Sequence, residues 1–189
     1  MKRRIHKQLR RLVGTGEKVR IERSFPSKPV SHGFVVALSS DLLMLHQFCD
    51  FYPDGHTVLR VGDVSDVRSG EYERQWEKML EGEGVQIDFN SDLLITDMAT
   101  LAESLLHRLV PVIIHCEDKV RDLEDFYIGN VLSVDSTNVI FANFDALGKW
   151  DKEPHTIPIG DITRWQIDTP YAMKFSKYLE GSCPFTPRP

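Results

Sequence analysis

The chain has little cysteine. Three residues in 189, Cys49, Cys116 and Cys183, make an odd and widely spaced set with no C-x-x-C pair. That argues against a disulfide framework and against paired-thiol chemistry on zinc, so reduced thiols are expected. Also missing is any apolar run near the roughly 20 residues that a membrane span needs. The opening stretch MKRRIHKQLRR lacks the uninterrupted apolar segment of a signal peptide. The expectation is a cytoplasmic protein without membrane contact. There is no G-x-S-x-G elbow, no P-loop and no G-x-G-x-x-G, so neither catalysis nor a cofactor is expected. Nor is there an excess of positive charge: 23 Lys and Arg stand against 28 Asp and Glu, a net charge of −5. Phosphate-backbone binding draws on clustered cations, and the chain as a whole does not supply them.

What the chain does hold is an ordinary core composition, 41% apolar and 27% charged, and one statement made twice. YERQWEKMLEG, ending at Gly82, returns as YAMKFSKYLEG, ending at Gly181. The match extends outward. Gly33 to Phe48 lies over Gly129 to Phe144 without a gap, setting Val35 over Val131, Ser40 over Ser136 and Phe48 over Phe144. HTVLRVGDV from His56 then answers HTIPIGDI from His155 with one residue deleted. A correspondence at nearly constant offset reads as an internal duplication.

Each half opens on a helical pattern, Ile5, Leu9 and Leu12 in one and Met98, Leu101, Leu105 and Leu109 in the other, the second with Asp97 as N-cap. Strand patterns follow: KVRIERS and VPVIIHCE, then the two glycine segments, then LLMLHQF and NVIFANF. Two short strands then flank a Gly-Asp turn in each half. The run CEDKVRDLEDF reads as a hairpin loop. A closing helix is expected to bury Tyr72, Trp76, Met79 and Leu80 in the first half and Tyr171, Phe175, Tyr178 and Leu179 in the second, with Gly82 and Gly181 as stops.

The expected fold class is mainly β with flanking helices (α+β), an internal duplication of a helix, a five-stranded small barrel and a helix. Closing the strands into a barrel would remove their edges, and Gly33 and Gly129 would ease the sharp bend. The expected boundaries are 1–85 for the first repeat with its basic helix, 86–182 for the second, and 183–189 for a Pro-rich tail, either disordered or a short docking segment.

This order of elements, with an Asp-containing turn after the second strand, resembles a tandem of the Sm-like family, including bacterial members without an assigned role, and more loosely other SH3-like barrels. The resemblance implies RNA binding through Asp-x-x-apolar-Asn and an Arg-Gly motif. Asp135-Ser-Thr-Asn138 sets the asparagine one residue early, Asp41 is followed by none, Arg60-Val-Gly62 parts arginine from glycine, and Ile157-Pro-Ile-Gly160 has no arginine. The family's RNA-binding residues therefore do not carry over.

Two groups of residues stand out as binding candidates. Lys2, Arg3, Arg4, Lys7, Arg10 and Arg11 occupy residues 1–11 with no acid among them. On a helix whose apolar stripe is Ile5, Leu9 and Leu12 they face solvent, open to nucleic acid or to the acidic half of a neighbouring chain. Residues 1–85 balance at +2 (14 Lys and Arg, 12 Asp and Glu) and residues 86–189 at −7 (9 against 16). The aromatics Phe51, Tyr52 and Trp150, with Phe48 and Phe144, fall in or beside the longest loops, where they either mark an interface or fold back over the core. His56 with Asp63 and His155 with Asp161 recur in both halves, but as strand-start and turn residues; His32, His46, His107 and His115 have no metal-ligand spacing. The sequence favours a non-enzymatic binding or scaffolding module, joined to a protein partner or to itself, with RNA binding through the basic helix as the alternative.

Overall fold

Ten strands, none longer than eleven residues, join edge to edge in one antiparallel sheet. The computed structural model describes residues 2–27, 29–106 and 108–185. His107, the Lys2 side chain and tail residues 186–189, all named above, lie outside that description. In chain order the elements are α1 (Lys2–Leu12), β1 (Lys18–Arg23), β2 (Val30–Leu38), β3 (Leu42–Cys49), β4 (Tyr52–Arg60), β5 (Val64–Arg68), α2 (Glu71–Gly82), α3 (Met98–Ser104), β6 (Val112–Glu117), β7 (Glu124–Val134), β8 (Asn138–Asn143), β9 (His155–Pro158), β10 (Arg164–Ile167) and α4 (Pro170–Ser176).

The strand order is β5-β1-β2-β3-β4-β10-β6-β7-β8-β9. It corrects the expectation of two closed small barrels. β10, which was to complete a second barrel, pairs with β6 on one side and with β4 on the other, from Arg164 opposite Leu59 to Ile167 opposite His56. An unpaired strand edge leaves peptide groups without partners, and β4 meets that demand with β10 rather than within its own half. The result is a single open sheet ending at β5 and β9. The sequence correspondence likewise does not become duplicated units: α1 has 11 residues where α3 has 7, β4 has 9 where β9 has 4, and α2 has 12 where α4 has 7.

Alternation places the cores. Leu43 opposite Leu59 puts one set of side chains on one face, and Met44 opposite Val58 puts the next on the other. The first face receives α1, whose Ile5, Leu9 and Leu12 pack on Val19, Ile21, Val35, Leu43, Leu45 and Leu59. An 11-residue helix is marginal alone, so this burial, about 1.5–3 kcal/mol per large apolar side chain, is what holds it. Gln8 of α1 also donates from Nε2 to the Val67 carbonyl of edge strand β5 at 2.8 Å. The second face receives α3, capped by Asp97, which accepts from the Thr100 amide at 2.9 Å. Met98, Leu101, Ala102 and Leu105 there meet Met44, Val58, Ile114, Trp165 and Ile167. Leu109, expected on that helix face, lies beyond the helix and is 95% exposed.

The closing helices keep part of their expected faces, with Leu80 buried and Trp76, Phe175 and Leu179 half-buried, and turn the rest outward. Tyr72 and Met79 point outward on α2 while Glu73 and Leu80 are buried, because Glu73 binds Arg68 and the Gly70 amide. On α4, Tyr171 is exposed and Ala172 is buried, and Tyr178 lies past the helix end. The Gly-Asp turn after β4 is a single 3-10 turn, Val61–Asp63. Residues 118–123 form the β6–β7 hairpin loop, where Asp118 accepts the Val120 and Arg121 amides.

Gly33 and Gly129 face a neighbouring strand, each two residues before the start of a register shift in its hairpin, and a methyl at either would overlap the carbonyl of His46 or Ala142. The obstacle is ladder backbone, which cannot rotate aside. Gly33→Ala or Gly129→Ala should lose at least the roughly 1–3 kcal/mol typical of overpacking. Gly82→Ala, with nothing within 4 Å, should be neutral or stabilising by up to about 1 kcal/mol. Chemical denaturation of the three variants measures the difference.

Candidate binding surface

The apolar stripe of α1 faces the sheet, which turns Arg3, Arg4, Lys7, Arg10 and Arg11 to solvent. Among the described residues none of these five makes an ion pair. Arg10 and Arg11 lie in the last turn, where the helix dipole favours cations. Arg3 and Arg4 lie in the first turn, which holds no acid, and there a cation costs about 0.3–1 kcal/mol. The fold gains nothing from that placement.

At the start of α1 a cleft of about 570 Å³ opens between Arg3 and His6, the β2–β3 turn at Ser40 and Asp41, and the turn after β4, with Lys119 reaching in from the β6–β7 hairpin. Its other cations are already engaged. Arg60 donates from Nε to the Ile162 carbonyl at 2.8 Å and from Nη2 to the Ile159 carbonyl at 2.6 Å. Lys119 Nζ donates to Asp63 Oδ1 at 2.5 Å. Asp63 Oδ2 is buried without a partner among the described residues. Among the described residues, Arg3 is the cation of the cleft left without a hydrogen-bond or ion-pair partner.

Of the aromatics proposed as interface residues, the structure folds two back. Phe51 stacks on Trp76 of α2 with ring centroids 4.5 Å apart, and Trp76 also lies 4.1 Å from Lys18 Nζ. Trp150 meets Phe144 edge to face at 5.4 Å and donates from Nε1 to the Gly181 carbonyl at 3.3 Å. Phe48 and Phe144 are buried outright. Tyr52, at the tip of the β3–β4 hairpin, is 77% exposed.

The recurring histidines and acids do not meet. Asp63 is paired with Lys119, His155 with Asp151 at 2.7 Å, and His56 sits mid-strand beside His46, ring centroids 5.2 Å apart. Among the described residues no three His, Cys, Asp or Glu side chains gather where an ion could be held. Burial pushes the Cys116 thiol up to about 12, which leaves it unreactive. Among the described residues no helix is long and apolar enough to cross a membrane.

A polar network that the sequence reading missed joins β1 to β6 and β10. Arg23, fully buried, forks onto Glu117 at 2.5 and 2.6 Å, and Thr163 Oγ1 donates to the same carboxylate at 2.6 Å. Burial opposes ionisation of Glu117, but the hydrogen bonds from Arg23 and Thr163 prevail and hold its carboxyl below the ordinary range. Beside it, His115 donates from Nε2 to Gln166 at 2.7 Å, and its Nδ1 lies against the Glu124 carboxylate and 2.8 Å from Arg164 Nη2. Burial pulls the Arg164 guanidinium below its ordinary value. The signal was alternation: Val19, Ile21 and Arg23 share one face of β1, and Ile113, His115 and Glu117 one face of β6, so each strand carries charge in core phase. The two terminal nitrogens of Arg23 and both Glu117 oxygens are satisfied from within the protein, while Arg23 Nε is buried without a partner among the described residues; the pair closes on itself as a clasp rather than an open site.

Comparison of the chain with protein-family models, with curated proteins and with solved structures gives no match. The Sm-like resemblance gains no support from them.

Removing one member of a buried pair strands the other's charge, at a cost of about 3–5 kcal/mol, whereas apolar replacement of both is often neutral. Arg23→Met alone should therefore unfold at much lower denaturant than wild type, and adding Glu117→Leu should recover most of the loss. Equal destabilisation in single and double variants would show that the pair is not the clasp.

Proposed function

We propose that the protein is a non-enzymatic binding or scaffolding module that associates with a second copy of itself through the cationic face of α1. The observation that carries the reading is the row of exposed cations on α1 without ion-pair partners among the described residues, two of them set against the helix dipole. Outside residues 1–11 the chain carries 17 Lys and Arg against 28 Asp and Glu. The molecule thus presents both halves of a charge-complementary contact, and such complementarity steers association and fixes register. Nucleic acid fits less well, because a long polyanion lying along α1 would run onto this acidic remainder. The separate structural contacts of Asp63 with Lys119, His155 with Asp151 and His56 with His46 support binding over catalysis.

Exposed ion pairs are worth only about 0.2–1 kcal/mol each, so the contact depends on several at once and on low salt. Light scattering should give wild-type protein a mass above the 21.7 kDa of one chain at low salt, falling towards it near 1 M, where the Debye length is about 3 Å. The triple variant Arg3→Glu, Arg4→Glu, Lys7→Glu should stay a single chain throughout, with its helix signal intact. A single-chain mass for wild type at low salt would sink the proposal. Absorbance at 260 nm that leaves as salt rises would place RNA on α1 instead.

A further inference from the structure

Between α2 and α3, residues 83–97 cross the molecule as a strap without helix or strand. The centre of the strap is held by two buried histidines. The Asp88 amide donates to His46 Nδ1 at 2.9 Å, and His56 Nε2 lies 3.4 Å from the Asp88 carbonyl. Below, Val85 and Ile87 of the strap close over Phe34, Phe48 and Leu80. The two rings play unlike parts. His56 donates to a carbonyl, a role open to it neutral or charged, whereas His46 accepts from a peptide N–H at Nδ1 and can do so only while that nitrogen carries no proton.

We propose that His46 is an acid-operated latch: a proton at its Nδ1 ejects the Asp88 amide, frees the centre of the strap and uncovers Phe34, Phe48 and Leu80. The charged and titratable groups facing His46 are His56 from β4 and Asp88 from the strap; β2 presents Phe34 opposite it and α2 presents Leu80. Burial, and then the neighbouring His56, push His46 from its ordinary value down to about 4. Because the closed state has the lower value, the latch is at full strength above about 6.5 and weakens as pH falls from there towards 4.

Hydrogen exchange of the Asp88 amide, corrected for its intrinsic rate, reads the latch directly. Protection should drop on the order of 100-fold between pH 7.5 and pH 4. His46→Asn places an amide oxygen near the position of Nδ1 and cannot take up the proton, so its protection should stay level over the same range. A level wild type, or an Asn variant that falls as far as wild type, overturns the proposal. Should the variant fail to fold, the wild-type imidazole and Asp88 amide resonances decide: they must move together with pH, and an amide that shifts while the His46 ring does not titrate refutes the latch.

Discussion

The arrangement of this protein rests on the backbone ladder between β4 and β10. Four paired positions join strands some hundred residues apart in the chain, and on them depends whether there is one sheet or two. With that ladder in place, Trp165 and Ile167 of β10 enter the same core as Met44 and Val58, and α3 covers both halves at once. Without it, β4 and β10 would each expose an unpaired edge, and Trp165, now fully buried, would lose one wall of its packing.

Side chains on the opposite face reinforce that join. Arg23 on β1 reaches Glu117 on β6, although β2, β3, β4 and β10 stand between them in the sheet order, so the sheet must coil strongly enough to bring the two together. Lys119 with Asp63, and Arg60 with the carbonyls of Ile159 and Ile162, add three more contacts across the same divide. Such pairs are weak evidence of net stability, since desolvation offsets much of their attraction.

Local features were legible in the sequence to the extent that their causes are local. The α1 stripe, the Asp97 cap, the hairpin loop at 118–123 and the strand runs all follow from spacing and side-chain chemistry within a few residues. Closure was not legible, because apolar alternation fixes which face of a strand is buried and carries no information on which strand lies beside its edge. The aromatic periodicity on α2 misled for a related reason: Trp76 is half-buried as expected, but the buried carboxylate of Glu73 turned the helix so that Tyr72 faces solvent. For the binding surface, the exposure of the α1 cations was readable from the stripe itself, whereas the withdrawal of Phe51 and Trp150 required helices packed from elsewhere in the chain. The polar side chains of Arg23, His115 and Glu117 at core-facing positions were present in the strand pattern as violations of it.

The two ends of the sheet are protected by different means. β9 is only four residues long, with Pro154 before it and Pro158 closing it, and proline offers no amide to an incoming strand. β5 has no such residue; α1 lies against it, and Gln8 occupies the Val67 carbonyl. The basic helix is therefore also a guard on a sticky edge. A chain that lost its first dozen residues through proteolysis would shed its cations and at the same time bare a strand able to template another, and the hazard of such clipping would be fibrous aggregation rather than simple loss of binding.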